Sequence, residues 1–239
     1  MRITFGTDGI RGPVSGFMTP ETCLRIGYAV GNVMSAEGIN TVLIGKDTRV
    51  SGYMLESALQ SGLISSGINV VLLGPIPTPG VAFLTRSLRN QFGIVISASH
   101  NSYEDNGIKI FDEKGEKISK SREKKIEKFL SQDLKVVESS SLGKAKRLND
   151  AAARYIEFCK STVPLSVNFN NLRIVLDCAN GASYKVTPTI FEELGAEVIK
   201  IGTSPDGYNI NENCGSTNPD LIKKEVIKQR ADFGVAIRW

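Results

Sequence analysis

Short runs of β-branched and leucine side chains recur along the chain, each bounded by Gly, Pro, Ser or Asn. They are Thr41-Val42-Leu43-Ile44, Asn69 to Leu73, Ile94-Val95-Ile96, Arg173 to Leu176 and Glu197 to Ile201. Runs of this length predict buried strands of a mainly parallel sheet. Amphipathic segments lie between them. Thr19-Pro20-Glu21 opens the first helix, with Thr19 as N-cap and Pro20 at the first helical position. Leu24, Ala29, Val30, Val33 and Met34 make its apolar face, and Gly38 closes it. Further helices are expected from Ser51 or Gly52 to about Ser66 ahead of Gly67, from Val81 to Leu88, and from Ser121 to Ser131. Gly74 to Gly80 is too rich in proline for regular structure. Ile108 to Phe111 and Lys117-Ile118 alternate around Glu113-Lys114-Gly115-Glu116, as a hairpin would.

From Asp133 to Lys146 the apolar content drops, which marks a boundary region, and Asp150 to Thr162 predicts a linking helix. The pattern then starts again. A strand over Arg173 to Asp177 empties into the polar loop Cys178-Ala179-Asn180-Gly181-Ala182, followed by helix Thr187 to Leu194 and strand Glu197 to Ile201. After the polar stretch Asp206 to Thr217 come helix Asp220 to Gln229 and a last strand, Asp232 to Ile237. The order repeats that of Thr41 to Gly74, so the expected fold class is α/β, with two domains in tandem over residues 1–150 and 151–239.

Composition narrows the function classes. The 239 residues carry 41% hydrophobic and 23% charged side chains, normal for a globular protein. A net charge of +4, spread rather than striped, gives no footprint for nucleic acid. The densest charged run, Lys114 to Lys128, mixes both signs and suits a solvated helix face. Cys23, Cys159, Cys178 and Cys214 are far apart without a C-x-x-C pair, which predicts free thiols in a reducing cytoplasm. No apolar run has the length of a signal peptide or a membrane span, so no membrane partner is expected.

The chemistry gathers after Ile96, where Ser97-Ala98-Ser99-His100-Asn101 follows a buried strand and Asp105-Asn106-Gly107-Ile108-Lys109 comes just behind. In an open α/β sheet, ligands sit at the carboxyl ends of strands. Ser99 has no glycines at nucleophile-elbow spacing. His100, the chain's single histidine, is its neighbour, and adjacent side chains in extended backbone point apart. A Ser-His-Asp hydrolase is therefore not expected. A phosphorylated Ser99 fits better, because Arg11, Lys109, Asn101 and loop amides could stabilise phosphate oxygens. Arg11 itself lies in Phe5-Gly6-Thr7-Asp8-Gly9-Ile10-Arg11-Gly12, a glycine-rich stretch suited to close backbone approach.

These strings, G-T-D-G-I-R-G and S-A-S-H-N with D-N-G-I-K, resemble the phosphohexomutases (α-D-phosphohexomutase superfamily), and within them the bacterial phosphoglucosamine mutase group. The resemblance implies tandem three-layer α/β/α domains with mostly parallel mixed sheets. It implies a reaction in which phosphoserine gives its phosphoryl group to a sugar monophosphate, and the bisphosphate reorients and returns the other one. Ser99 would be that serine, Lys109 and Arg11 its acid–base and charge-stabilising partners, Asn101 a phosphate contact, and His100 the residue that orients the loop and touches sugar hydroxyls. Glucosamine 6-phosphate and glucosamine 1-phosphate are the implied substrates, with a bisphosphorylated sugar as activator. Phosphomannomutase or phosphoglucomutase activity is the alternative, and a non-catalytic remnant a further one. One departure is that Ser102-Tyr103 follow Asn101 where the family usually has proline first.

The family also implies Mg²⁺ held by the phosphate on Ser99 and by three aspartates of a D-G-D-G-D-R loop. That loop would follow the strand ending near Ala236, and it is absent from this sequence. The second domain is thus expected to be incomplete, metal binding weak and the chain nearly inactive. A frameshift is hypothesised as the cause: TTC GAT GGT GAT read one base earlier after A gives ATT CGA TGG TGA, Ile-Arg-Trp-stop, matching Ile237-Arg238-Trp239. A polypeptide encoded downstream would then be the complementing partner.

Overall fold

The structure, a computed structural model, describes residues 3–89 and 91–237; Arg238 and Trp239 of the Ile-Arg-Trp ending lie outside the described residues. The first helix, α1 (Pro20–Ala36), starts as its sequence dictates: Pro20 occupies the first turn and the Thr19 side chain accepts from the Thr22 amide. It is followed by β2 (Thr41–Lys46), α2 (Ser51–Ser65), β3 (Asn69–Pro75), α3 (Thr78–Ser87) and β4 (Phe92–Ile96). With β1 (Ile10–Pro13), β5 (Asp105–Phe111) and β6 (Ala145–Arg147) these strands form one six-stranded sheet in the order β1-β5-β4-β2-β3-β6. The run from β4 through β2 and β3 to β6 is parallel, whereas β5 is antiparallel to both β4 and β1.

Strand periodicity of two sends alternate side chains to opposite layers. Ile94, Ile96, Ile108 and Ile110 pack against α1, α2 and α4 (Lys120–Leu130), while Leu43, Val71 and Val95 meet Val81 and Leu84 of α3. A three-layer α/β/α sandwich results. Chain order reverses at β2, whose neighbours β3 and β4 lie on opposite sides. The carboxyl ends of β2 and β4 therefore open a crevice at a topological switch point, the place where such sheets take ligands.

The second sheet is smaller. β7 (Arg173–Asp177) lies between β8 (Glu197–Ile201) and β9 (Phe233–Ala236), parallel to both, with α6 (Val186–Glu193) and α7 (Asp220–Lys228) packed beside them. Its core gathers Ile174, Leu176 and Ala196 with Phe169, Phe191 and Val198. The linking helix is α5 (Ala151–Ser161), which packs against α3 and α6.

Three expectations are corrected. The hairpin is reduced to one antiparallel bridge, Phe111 with Lys117, flanked by bonds from the Asp112 amide to the Glu116 carbonyl (2.8 Å) and from the Ile118 amide to the Ile110 carbonyl (3.2 Å). Ile108 and Ile110 alternate because β5 is an interior strand with a core on one face. Asp105, Asn106 and Gly107 belong to β5 as well, so the strand that carries Lys109 begins three residues earlier than the alternation from Ile108 marks. Regular structure also extends into the proline-rich stretch. Pro75 ends β3 beyond the reach of β6, which stops opposite Leu72, and Pro79 sits in the first turn of α3, where its missing N–H costs nothing. The apolar-poor boundary region contributes β6, an exposed edge strand whose side chains carry no burial pattern.

Helices α1 and α2 approach through glycines. A Cβ on Gly62 would lie 2.1 Å from the Leu24 carbonyl oxygen and 2.7 Å from the Tyr28 nitrogen, both backbone atoms. Helix propensity alone favours Gly62→Ala by about 1 kcal/mol. Overpacking against backbone outweighs this, and the substitution is expected to destabilise the protein by about 1–3 kcal/mol in a urea melt. A stabilised variant would show that the helices can move apart freely.

Candidate active site

The site is built where β1, β5 and β4 run side by side. Arg11 pairs with Gly107, and the Ser97 amide donates to the Gly107 carbonyl at 2.9 Å. Arg11, Gly107 and Ser97 thus form one row across three strands, on the face opposite Ile108. Lys109 is two residues along β5 from Gly107 and shares that face, diagonal to Arg11. Gly107 lets the three segments approach closely at the middle of the row: a Cβ there would sit 2.9 Å from the Ile10 carbonyl oxygen, 3.0 Å from the Ser97 carbonyl oxygen and 3.2 Å from Arg11 Cβ. The turn over Gly6 to Gly9 walls the face, with Lys109 in a cavity of about 230 Å³ on one side and Arg11 in an open groove on the other. The Nε of Arg11 is buried without a hydrogen-bond partner, a donor that an incoming anion would satisfy.

Ser99 follows the row by two residues and turns the chain. Its φ is +58°, in the left-handed region that L side chains other than Asn and Asp rarely occupy, and it is 8% exposed. Its amide donates to Ser97 Oγ at 3.1 Å. The backbone here is bent, so the extended geometry assumed for Ser99 and His100 does not hold. His100 is instead set apart by burial, being exposed where Ser99 is buried. The Asn101 side-chain amide donates to Asp105 Oδ2 at 2.7 Å. Asn106 donates to Ser51 Oγ at 2.9 Å and ties β5 to the start of α2.

What holds Ser99 in this conformation is a residue that sequence reading left without a role. Arg49, wholly buried just beyond β2, donates through Nη2 to the carbonyls of Ser99 (3.1 Å) and Asn101 (2.6 Å), and through Nε to that of Ser102 (3.3 Å). Its Nη1 is paired with Asp47 Oδ2, and Asp47 Oδ1 accepts the Arg49 amide at 3.0 Å. The Asp47 amide in turn donates to the Ile96 carbonyl at 3.1 Å, at the end of β4. The available signal was Asp47-Thr48-Arg49 directly after a buried strand, where a charged pair needs a reason to be.

An α/β/α unit followed by a second α/β unit is the plan of domains I and II of phosphoglucomutase/phosphomannomutase. The models for those two domains match residues 2–136 and 153–237, and the chain belongs to this family. Among its relatives are phosphoglucosamine mutases of Marinomonas sp. (56% identical over 99% of this chain), Legionella pneumophila (57% over 98%) and Haemophilus influenzae (54% over 97%). The chain spans about half the length of these curated relatives, 53%, 51% and 52% respectively. A crystal structure of a phosphoglucomutase/phosphomannomutase family protein from Burkholderia thailandensis superposes with a TM-score of 0.82 and 25% identity, covering 99% of this chain and 52% of that one.

Two outcomes follow from the burial seen here. Arg49→Met would leave the Asp47 carboxylate buried without its cation, and is expected to cost about 3–5 kcal/mol in denaturant unfolding. A loss below 1 kcal/mol would show that the pair is dispensable. The four thiols are free, as expected, and burial pushes Cys23 and Cys178 up to about 12 and Cys214 up to about 11. Unfolded thiols ionise near 8.5. Their contribution to stability is therefore fully present below about pH 8.5 and is lost as pH rises through 11 to 12. Alkylation of the native chain at pH 8 should reach half-buried Cys159 first; prompt modification of Cys178 would contradict this burial.

Proposed function

We propose that Ser99 is the phosphoryl carrier of a phosphoglucosamine mutase reaction, interconverting glucosamine 6-phosphate and glucosamine 1-phosphate. The observation that carries the reading is the placement of Ser99 itself. It is a buried serine in left-handed backbone at the switch point, just past a sheet row that holds Arg11 with an unpartnered buried N–H. The sugar is supported by the phosphoglucosamine mutases that match at 54–57% identity.

In the proposed reaction the phosphoserine meets a free hydroxyl of the sugar monophosphate. The P–Oγ bond breaks, a P–O bond to the sugar oxygen forms, and the hydroxyl proton passes to Ser99 Oγ by way of Lys109. The bisphosphate then turns and the exchange runs backward at the other end. Phosphoryl transfer needs mainly positioning and charge neutralisation. Arg11 and Lys109 supply positive charge on one face, and exposed His100 lies where it can meet sugar hydroxyls. In this proposal Asn101 acts through the loop, since its amide is engaged by Asp105.

Magnesium contributes further charge neutralisation in reactions of this class. Among the described residues no three His, Cys, Asp or Glu side chains gather as a metal site. These residues do not fit the ion by themselves, so no step is routed through it. Among the described residues no helix is long and apolar enough to cross a membrane, and we place the reaction in the cytoplasm on the strength of the free thiols.

Incubating the chain with glucosamine 1,6-bisphosphate and Mg²⁺, then mapping phosphopeptides, tests the proposal. Phosphate is expected on Ser99 and absent from Ser99→Ala. Phosphate on Ser97 or Ser102 instead, or on no serine, would refute it.

A further inference from the structure

The carbonyls of Ser99 and Asn101 each have two lone pairs, and Arg49 fills one on each. The second donor comes from the other sheet's side of the molecule. Asn211 Nδ2 lies 3.1 Å from the Ser99 oxygen and 3.1 Å from the Asn101 oxygen. An amide nitrogen has two hydrogens, one for each carbonyl, whereas the opposite amide orientation would set three oxygens against one another. Two NH₂ groups and two carbonyls thus close a quartet around the Ser99 turn.

Asn211 is itself held for this contact. Its φ is +61°, a conformation that Asn tolerates better than most residues, and its amide donates to the Ala179 carbonyl at 2.9 Å. Its neighbour Ile210 is buried. Two further bonds cross between the same regions, Thr48 Oγ1 to the Asn180 carbonyl at 2.5 Å and the Val50 amide to the Gly207 carbonyl at 2.9 Å. Those bonds join the two units away from Ser99; among the described residues the crossing bond to the Ser99 carbonyl comes from Asn211.

We infer that Asn211 is a positioning residue, which completes the hydrogen-bond quartet on the Ser99 and Asn101 carbonyls and so makes the reactive geometry of the serine loop depend on contact with the second α/β unit. The inference deepens the reading of Ser99 as phosphoryl carrier and rests on it for its catalytic consequence. Arg49 sets the turn but fills only one lone pair of each carbonyl. With Asn211 docked, both peptide planes that flank His100 and Asn101 are fixed.

The test uses the full chain and two substitutions that share one loss. Asn211→Gly removes the amide while tolerating positive φ, and Asn211→Asp keeps shape while removing the donor. Thr48→Val, which deletes a crossing bond away from the serine loop, is the control. Hydrogen exchange over residues 98–103 is expected to quicken about tenfold in both Asn211 variants, the loss of about one net hydrogen bond, and to stay at the native rate in Thr48→Val. Phosphoryl uptake by Ser99 from glucosamine 1,6-bisphosphate should slow about tenfold at saturation, with the half-saturating concentration unchanged. Native exchange over 98–103 in the Asn211 variants would overturn the inference. An equal rise in Thr48→Val would also overturn it, because general docking rather than the amide would then hold the loop. A native chain that takes up no phosphate on Ser99 refutes the phosphoryl-carrier reading, while the exchange comparison still decides the quartet.

Discussion

The serine loop depends on the buried pair between Arg49 and Asp47. Taking both charges out of water is costly, and an apolar pair of the same volume would often be no less stable. What an apolar pair could not do is hold three carbonyls. The planar guanidinium leaves donors free after meeting Asp47, and these reach Ser99, Asn101 and Ser102 in the neighbouring loop. A residue in left-handed backbone costs of order 1–3 kcal/mol and persists only where its surroundings over-determine it. Here the ion pair converts the rigidity of two adjacent parallel strands into a fixed turn at Ser99.

The second sheet uses the same device with a different end. Asp177 closes β7 as Asp47 follows β2, and in both the carboxylate accepts the amide two residues on, Ala179 at 2.9 Å and Arg49 at 3.0 Å. The remaining oxygen differs. In the first unit it takes the Arg49 guanidinium; in the second it takes the Gly215 amide at 2.6 Å, which secures the loop that carries Asn211. The two strand-end aspartates therefore brace the two sides of one site, the serine turn and the loop that reaches it. Gly107 permits the close approach: a side chain there would press on the Ile10 and Ser97 carbonyls and on Arg11 in the same row.

Much of this was legible in the residues. Helix α1 could be placed from Thr19 and Pro20, and the buried strands from their β-branched runs, because local capping and burial on both faces leave plain marks. The repeated strand–loop–helix order announced two α/β units. Ser99, Arg11 and Lys109 stood out by their strings. The misses share a cause: they depend on partners far away in sequence. Ile108 and Ile110 alternate as in a hairpin, yet that turn makes one bridge and the strand's main pairing is with Ile10 and with Ile94 to Ile96. Ala145 to Arg147 shows no pattern because an exposed edge buries nothing. Arg49 and Asn211 read as ordinary polar loop residues, since the carbonyls that they hold lie at separations of 50 and 112 residues.

The central claim is that the guanidinium of Arg49 sets the backbone of Ser99. A crystal structure of Arg49→Lys tests it most directly, because lysine keeps a cation for Asp47 but cannot fork onto the carbonyls. The account predicts that Ser99 leaves positive φ and that its carbonyl turns away from the β2 end. A Ser99 that stays near +58° with its carbonyl in place would contradict it.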